Sequence, residues 1–488
     1  MNRVKQKEHS VKYNFIMNFI LTASQFIFPL ITFPYVSRVL MSSGNGKIAF
    51  ASSVANYFAM VASLGIPTYG IRACAQVKDN KDNLSKTVQE LFMINAIITA
   101  VVLITYFVSI ILIPKFQEEK LLFYINAVNI LLNTLGMNWL FQGLEKYDYI
   151  TIRSIIFKII SIILMLGFVH KQSDYILYGA ITVFAAVGSN ILNLTQLHKY
   201  IYFKKYSNYN LKKHLKPIFI LFSQSMVVSI YTNLDTVMLG FIKNSEQVGL
   251  YNAAIKLKSL LLSLVTSLSN VLLPRMSYYY KIRKMDEFKE LAAKAINFTM
   301  CISLPICTYF ILYAKQSILF LAGEGYLEAV LAMQFVVFAV IPNGLTGVLG
   351  VQVLTAQNKE KYVLYSVLIG AISDFILNLI LIPKYGASGA AFATMVAEYL
   401  VLVVQIMFTR KLLQNIRNEI RCFYYFIGII LATVVSIFVK NIVNVTSNFI
   451  ILCITGMVFL GIYFIILVIK KDFFVKSLLS SVKINKKR

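Results

Sequence analysis

The sequence predicts an all-α membrane protein with about fourteen transmembrane helices, and three observations support this. The apolar fraction is 58% and the charged fraction only 14%, whereas a soluble domain carries about 25% charged residues because its surface faces water. Apolar runs of about 20 residues recur along the chain, each long enough to cross about 30 Å of hydrocarbon. Basic residues gather in alternate connections between these runs.

We number the predicted transmembrane segments span 1 to span 14, in chain order. They cover residues 11–37, 47–71, 87–113, 120–142, 149–169, 174–197, 215–241, 248–273, 292–314, 327–355, 361–383, 387–409, 422–440 and 447–469.

Lysine and arginine orient these spans. Of the 47 basic residues, 35 lie in the two terminal segments and in one set of alternate connections. The positive-inside rule therefore predicts that both termini are cytoplasmic. The net charge of +26 is then a topology signal. A nucleic-acid surface would require basic residues on a folded soluble domain, and none is predicted.

The sequence favours no catalytic or metal chemistry. The five cysteines are scattered without metal-ligand spacing. No nucleophile and base stand together, and the short outer connections leave no room for a catalytic loop. We therefore predict a protein that is not an enzyme and has no metal site or cofactor. The four histidines (His9, His170, His198 and His214) lie at segment ends, where we expect them to be solvated.

An internal repeat divides the predicted spans. Gly46 lies 26 residues before Arg72, and Gly249 lies 26 residues before Arg275. Each pair brackets one span that begins outside and ends at a cytoplasmic arginine. We predict an N-lobe of spans 1–6 (1–212), a C-lobe of spans 7–12 (213–415), and an addition of spans 13 and 14 with a basic cytoplasmic tail (416–488). A pseudo-two-fold axis along the membrane normal would relate the two six-helix lobes.

Polar residues keep to one face on several spans. In span 8 they recur at intervals of three or four residues, which is one face of a helix. The main members of these stripes are Gln25, Asn126, Asn129, Asn252, Lys256, Ser259, Ser263, Thr266, Asn270, Ser366, Asp374, Asn378, Thr394, Glu398 and Gln405. Small polar groups can hold helices together. For whole stripes we favour a water-filled cavity.

Buried charges give sharper expectations, because ionisable residues inside a membrane are costly. Asp235 and Lys256 flank one short loop at similar depth, so an ion pair is expected. Asp374 and Glu398 flank another short loop. They could share a proton, as a proton-coupled carrier requires, or each could be hydrogen-bonded separately. Lys158 and Lys258 lie on less polar faces, and we expect both to reach the membrane interface.

Several motifs identify the chain as similar to a known superfamily. It resembles the multidrug/oligosaccharidyl-lipid/polysaccharide exporters, and within them the Wzx-type oligosaccharide flippases, over roughly residues 10–410. The motifs include Phe33-Pro34-Tyr35-Val36-Ser37-Arg38, Tyr69-Gly70-Ile71-Arg72, Trp139-Leu140-Phe141-Gln142-Gly143, Asn233-Leu234-Asp235, Val248-Gly249-Leu250-Tyr251-Asn252, Leu273-Pro274-Arg275 and Ile382-Pro383-Lys384-Tyr385-Gly386. One departure is Ala73-Cys74 after Arg72, where the family has an acidic residue.

The resemblance implies a function. Such proteins move an undecaprenyl-pyrophosphate-linked oligosaccharide across the bacterial cytoplasmic (inner) membrane by alternating access, and the lipid tail stays in the bilayer. The expected coupling ion is H⁺ or Na⁺, and the expected partners include a polysaccharide polymerase and a chain-length regulator. Rival functions are a multidrug exporter, a peptidoglycan-precursor flippase and a polysaccharide polymerase. The polymerase would need a large outer loop that this sequence lacks.

The resemblance also suggests site residues. A pyrophosphate needs cationic partners, for which we select Arg38, Arg72, Lys256 and Arg275. Positive-inside anchoring is the alternative for Arg72 and Arg275, and interfacial snorkelling for Arg38. Uncharged cavity groups for the sugars are Gln25, Asn126, Asn129 and Asn252. Ion coupling is assigned to Asp235, Asp374 and Glu398.

Overall fold

The computed structural model describes residues 11–266, 269–420, 422–443 and 445–470, and every regular element in these ranges is helical. The α-helices are α1 (Val11–Ser63), α2 (Ile66–Val77), α3 (Lys81–Leu112), α4 (Pro114–Gln117), α5 (Lys120–Gly136), α6 (Asn138–Gly143), α7 (Tyr147–Phe168), α8 (Tyr175–Val187), α9 (Ile191–Tyr200), α10 (Lys212–Ile242), α11 (Ser245–Thr266), α12 (Ser269–Lys281), α13 (Met285–Leu312), α14 (Ala314–Leu321), α15 (Ala329–Phe338), α16 (Val340–Thr346), α17 (Glu360–Asn415), α18 (Cys422–Ile442) and α19 (Asn448–Ile469).

The described chain contains 12 helical segments that are long and apolar enough to cross a membrane. Two of them are too long for one crossing: Tyr13–Val77 has 65 residues and Glu360–Asn415 has 56. Helices of that length would extend well beyond the ~30 Å of a hydrocarbon core. When each is counted as two crossings, every predicted span has a counterpart. The protein is therefore an all-α, multi-pass membrane protein, as predicted.

Both long segments contain a backbone break near the predicted outer loop. In α1 the break is at Met41, with φ 56° and ψ −176°. In α17 it is at Gly386, with φ 53° and ψ −128°. A positive φ is unstrained for glycine but rare for methionine. Both breaks fall in predicted connections, between spans 1 and 2 and between spans 11 and 12, but the residue type gave no indication of a positive φ at Met41.

Three other spans are interrupted helices. Span 4 is divided into α5 and α6 at Met137, which has φ 40°. Span 6 consists of α8 and α9, joined by the 3₁₀ turn Gly188–Asn190. Span 10 contains a π-helical stretch, Gly347–Leu354, between α16 and the 3₁₀ turn Thr355–Gln357. Such interruptions are tolerated inside membranes where neighbouring helices satisfy the freed backbone groups.

Contacts divide the chain into two units, 1–249 and 250–488. In the first unit, α1 and α7 run parallel with a constant register. Thr151 Oγ1 donates to Met17 O at 3.0 Å, and Tyr35 OH donates to Val169 O at 2.8 Å. Both pairs are 134 residues apart in the chain. The lobe boundaries predicted at residues 212 and 415 come from the internal repeat in the sequence and not from contacts, and they stay a prediction.

In the second unit, tyrosine hydroxyls hold the last two helices against α13. Tyr309 OH donates to Leu452 O at 2.7 Å, and Tyr463 OH donates to Cys301 O at 2.9 Å. Tyr425 and Phe459 are fully buried in the same cluster. Buried tyrosines combine a large apolar ring with a hydroxyl that needs a partner, so these contacts join α18 and α19 firmly to this unit.

Candidate functional site

Each unit presents an arginine next to a tyrosine at an end that is predicted to be cytoplasmic. In the first unit, the Arg72 guanidinium lies 5.5 Å from the ring centre of Tyr69. In the second, Arg275 lies 5.5 Å from the ring centre of Tyr279 and donates from Nε to its hydroxyl at 3.1 Å. Both arginines are exposed. Each guanidinium keeps donors for an anion, because a tyrosine face uses none and the Tyr279 hydroxyl uses only one of the five donors of Arg275.

The first unit exposes a polar stripe on α1. Asn18, Thr22 and Gln25 are exposed and follow one another at helical spacing. The α1 side chains that contact α7 lie on the neighbouring face. Apolar residues that would face lipid, such as Phe19 and Ile27, occupy the rest of the surface. A polar stripe beside a lipid-facing one fits a helix at the edge of a wet cavity.

A second polar stripe lies on α10 and was missed from the sequence. Ser225, Ser229 and Thr232 border an open cavity of about 500 Å³ together with Val228. The hydroxyls of Ser225 and Thr232 donate to carbonyls one turn earlier in the helix, at 3.1 and 3.0 Å. These serine and threonine positions recur at intervals of three or four residues, so the same periodicity count used for span 8 could have found them.

The α11 stripe is partly exposed in the second unit. Asn252, Lys256, Ser259, Ser263 and Thr266 are all of intermediate exposure. The three hydroxyls bond to carbonyls of their own helix. The predicted stripe is thus present as far as Thr266; the side chain of Asn270 lies outside the described residues.

The stripe on the first half of α17 is buried against the second half of the same element. Gln405 Nε2 donates to Ser366 Oγ at 3.1 Å. A Cβ added at Gly370 would lie 2.4 Å from Val401 Cγ2. These two pairings fix an antiparallel register that sets Asp374 at the depth of Glu398. Both carboxylates are buried, so this stripe lies within a helix–helix contact.

Glu398 has a cationic neighbour that the sequence interpretation missed. Lys258 Nζ lies 3.5 Å from Glu398 Oε1, and both side chains are buried. The expectation that Lys258 reaches the interface is therefore wrong. Lys258 projects from the face of α11 opposite to the polar stripe. That face contacts α17 and not lipid, which the polarity of α11 alone did not indicate.

The remaining predicted residues are distributed over both units. Arg38 is exposed near the Met41 break and bonds to the Pro34 carbonyl in its own helix. Asp235 is buried in the first unit and Lys256 is in the second, so the ion pair expected between them stays a prediction.

The two asparagines predicted on span 4 form bonds within α5. Asn126 is buried and donates to Leu122 O at 2.8 Å. Asn129 is half-buried and accepts a bond from Asn133 Nδ2 at 2.9 Å. Asn126 therefore has its amide N–H engaged inside the unit, whereas the exposed Asn133 extends this polar face toward solvent.

His214 is part of a buried polar cluster where α10 begins. Its Nε2 lies 2.9 Å from Glu90 Oε2, and Tyr69 OH lies 2.8 Å from its Nδ1. Glu90 is fully buried; it also accepts Asn210 N–H at 2.8 Å and Lys213 Nζ at 2.7 Å. The expectation of a solvated histidine is thus wrong for His214, because the chain before α10 folds back over α3.

Arg153 is a second buried charge that sequence reasoning missed. Its guanidinium donates to Ser189 Oγ at 2.9 Å, to Asn190 Oδ1 at 3.2 Å and to Asn138 Oδ1. It also lies where α5 ends and where α8 ends. The helices α6 and α9 begin at the same junctions, so helix-end charges of both signs meet there, and the neutral oxygen acceptors solvate the guanidinium in place of a carboxylate. No metal-binding group of His, Cys, Asp or Glu occurs among the described residues.

Comparison with known proteins gives the chain a family. Residues 11–280 match the family described as "Polysaccharide biosynthesis protein", and residues 220–380 match the family described as "MatE". One relative is a protein of Escherichia coli K12 named "Putative O-antigen transporter". It is 24% identical over 404 residues, which cover 82% of this chain and 97% of the relative.

Two solved structures share the fold. A lipid II flippase MurJ in an inward closed conformation aligns with a TM-score of 0.72 at 18% identity, covering 95% of this chain and all of the other. An inward-facing multidrug resistance MATE transporter of the MOP superfamily aligns with a TM-score of 0.58 at 12% identity, covering 83% of this chain and 99% of the other. These structures show the fold, and the two family matches confirm the resemblance to polysaccharide exporters.

Proposed function

The chain belongs to the polysaccharide biosynthesis protein family, and on this premise we propose that it is a flippase for lipid-linked oligosaccharides. Its substrate would be an undecaprenyl-pyrophosphate-linked repeat unit of a surface polysaccharide. The protein would carry the unit from the cytoplasmic to the outer leaflet of the bacterial cytoplasmic membrane by alternating access. Both termini would be cytoplasmic, and a polymerase with its chain-length regulator would use the product.

The family match carries this proposal. It covers residues 11–280, and these include the polar stripes of α1 and α10 and both cytoplasmic arginines. The alignment with the Escherichia coli relative covers nearly the whole length of that relative. Its name, an O-antigen transporter, supports a surface polysaccharide as the cargo.

The charge distribution supports a diphosphate group as the first part of the substrate to bind. Arg72 and Arg275 are exposed at ends where a substrate made in the cytoplasm would be collected. Lys256 lies in the middle of its stripe, and Arg38 lies near the opposite end of the crossing. An arginine fork binds two phosphate oxygens at once, which makes the two arginines suited to capture.

Uncharged groups would meet the sugars. Gln25 and Asn252 lie on exposed or partly exposed stripes, and each amide offers two donors and an acceptor to hydroxyl groups. Asn129 lies one turn from the exposed Asn133. Asn126 lies on the same helix, and it would help to position the polar face that Asn129 and Asn133 form.

Asp235, Asp374 and Glu398 would couple transport to H⁺ or Na⁺. Buried carboxylates inside a membrane bind a cation or a proton readily, because a net negative charge there is costly. We expect Asp374→Asn or Glu398→Gln to abolish transport driven by a pH or sodium gradient. Measurements in proteoliposomes would test this, and full coupling in both variants would contradict the assignment.

Complementation tests the proposed function. Expression in a strain that lacks its own oligosaccharide flippase should restore surface polysaccharide and lower the pool of lipid-linked units in the inner leaflet. The double variant Arg72→Gln/Arg275→Gln should weaken substrate binding at least about a hundredfold and lower restoration accordingly, because each of the two lost charged hydrogen bonds weakens binding by about 1.5–3 kcal/mol. Arg410→Gln, an exposed arginine outside the proposed site, serves as the control.

The rival functions predict different outcomes. Rescue of a peptidoglycan-precursor flippase mutant, without rescue of any oligosaccharide flippase mutant, would contradict the proposed cargo. Drug resistance without either rescue would indicate an exporter. A deletion strain that accumulates units in the outer leaflet would indicate a polymerase.

A further inference from the structure

Lys158 is a cation in the middle of a membrane-spanning helix. It belongs to α7, which covers 22 residues, and it lies about three turns from either end, farther than its side chain reaches. The face of α7 that would meet lipid carries Ile152, Ile156 and Ile163, all strongly exposed. Lys158 projects from the opposite face, toward α1. The expectation that it reaches the interface is wrong for this reason.

The contacts of Lys158 are neutral. Its Nζ donates to Ser24 Oγ at 2.7 Å and lies 5.5 Å from the ring centre of Phe28. Ser24 in turn donates to Leu21 O at 2.6 Å. Among the described residues, no carboxylate forms an ion pair with this ammonium. An ammonium has three donors, so two remain for another partner.

The contacts that Lys158 makes with α1 locate its ammonium relative to the exposed polar stripe of that helix. Ser24 and Phe28 lie on the face of α1 that contacts α7, and the exposed polar stripe with Gln25 lies on the adjacent face. Phe28 is the contact nearer to that stripe by helical angle. The ammonium, 2.7 Å from Ser24 Oγ, therefore lies on the face of α1 adjacent to the polar stripe, with Phe28 between it and the stripe.

Lys258 shows how this protein compensates a comparable charge. It too lies deep in a span, but Glu398 Oε1 is 3.5 Å away. A buried cation normally has such a partner, because an uncompensated charge in a low-dielectric environment is costly. The neutral surroundings of Lys158 are consistent with a negative charge that arrives from outside the chain.

We propose that Lys158 is a substrate-binding residue that pairs with the diphosphate of the lipid-linked substrate at mid-membrane depth. This rests on the proposed function for the substrate class. The cytoplasmic arginines would capture the diphosphate, and Lys158 would replace them as its counter-ion deeper in the membrane. Ser24 and Phe28 act as positioning residues, since they hold the ammonium beside the stripe.

Ligand-induced stabilisation of the full-length protein in detergent tests this assignment. The probe is farnesyl diphosphate, with farnesol as a control that has the same tail without the anion. Phosphatidylglycerol is a third probe, because a phospholipid head group also offers a phosphate. The proteins are the wild type, Lys158→Met, Lys158→Arg and, as a matched buried lysine, Lys258→Met.

We expect farnesyl diphosphate to raise the thermal midpoint of the wild type in a saturable manner, and farnesol to have no effect. Lys158→Met should weaken the apparent affinity at least tenfold, and Lys158→Arg should retain it within about threefold. Without ligand, Lys158→Met should unfold at the same or a higher temperature than the wild type. Lys258→Met should unfold at a lower temperature because it leaves Glu398 uncompensated.

The outcomes separate this assignment from the proposed function. Equal affinity of the wild type and Lys158→Met for farnesyl diphosphate would overturn the role of Lys158 alone. A lower midpoint of ligand-free Lys158→Met, with unchanged affinity, would make the lysine a structural residue. Lack of stabilisation of the wild type by farnesyl diphosphate would overturn both proposals. Stabilisation by phosphatidylglycerol alone would assign Lys158 to bilayer lipid and overturn the substrate role.

Discussion

Gly46 and Gly249 bring two helices into reciprocal backbone contact. A Cβ added at Gly46 would lie 1.6 Å from the Ser245 carbonyl oxygen, and one added at Gly249 would lie 1.9 Å from that of Ser42. These are the two glycines that mark the internal repeat in the sequence. Each therefore contacts the helix that carries the other. All four residues lie in the first unit, and the two-fold relation between the repeated elements stays a prediction.

We expect Gly46→Ala and Gly249→Ala each to destabilise the described arrangement. The added methyl group would meet rigid backbone, so the two helices must separate, at a cost of about 1–3 kcal/mol. Gly461→Ala is the control, because a Cβ there has nothing within 4 Å and alanine favours a helix over glycine by about 1 kcal/mol. Thermal unfolding in detergent measures all three variants. A similar gain in stability in all three would contradict the close contact.

The Glu90 cluster gives a second stability prediction. Glu90→Gln keeps the shape but removes the charge that Lys213 and His214 contact. Because a buried carboxylate with several donors is replaced by an amide, we expect a loss of about 2–4 kcal/mol. Asp82→Asn is the matched control. It removes an exposed partner of Lys204 and should cost much less than Glu90→Gln, because solvent screens an exposed ion pair. Equal losses in the two variants would refute the buried network.

The spans were predictable because the bilayer imposes a length and a composition on every crossing. The apolar runs and the charged connections between them therefore account for every candidate crossing among the described residues, including the two pairs merged within α1 and α17. The backbone breaks within helices were harder to predict from the sequence. The connection that contains Gly386 was predicted between spans 11 and 12, whereas the residue types gave no indication that Met41, Leu64 and Met137 adopt positive φ.

The partners of buried charges were not predictable. Helical periodicity gives the face of a residue but not which helix that face meets. Lys258 and Lys158 were judged by the polarity of their own face, and their partners lie on α17 and α1. His214 and Glu90 are 124 residues apart, so only the folded chain brings them together.

Substitution of Arg153 by lysine tests whether its charge or the geometry of its hydrogen bonds stabilises the protein. Its three acceptors, on Ser189, Asn190 and Asn138, surround a planar fork. We expect Arg153→Lys to lose about 2 kcal/mol or more, because an ammonium cannot reach all three acceptors and each unmet buried acceptor costs about 1–3 kcal/mol. Arg410→Lys, at an exposed position, should be neutral. Unfolding by urea or heat in detergent measures both variants. Equal stability would mean that only the charge of Arg153 matters.

A double-mutant cycle tests whether Lys258 and Glu398 compensate each other. Removal of one partner leaves the other charge buried alone, so Lys258→Met and Glu398→Gln should each lose about 3–5 kcal/mol. In the double variant both charges are absent, and its loss should be smaller than either single loss. The free energies of unfolding in detergent then give a coupling energy above about 1 kcal/mol. Additive losses would mean that the 3.5 Å approach contributes nothing. The same variants bear on ion coupling: since Glu398 is assigned to coupling and is absent from both, we expect Glu398→Gln and the double variant alike to lose gradient-driven transport.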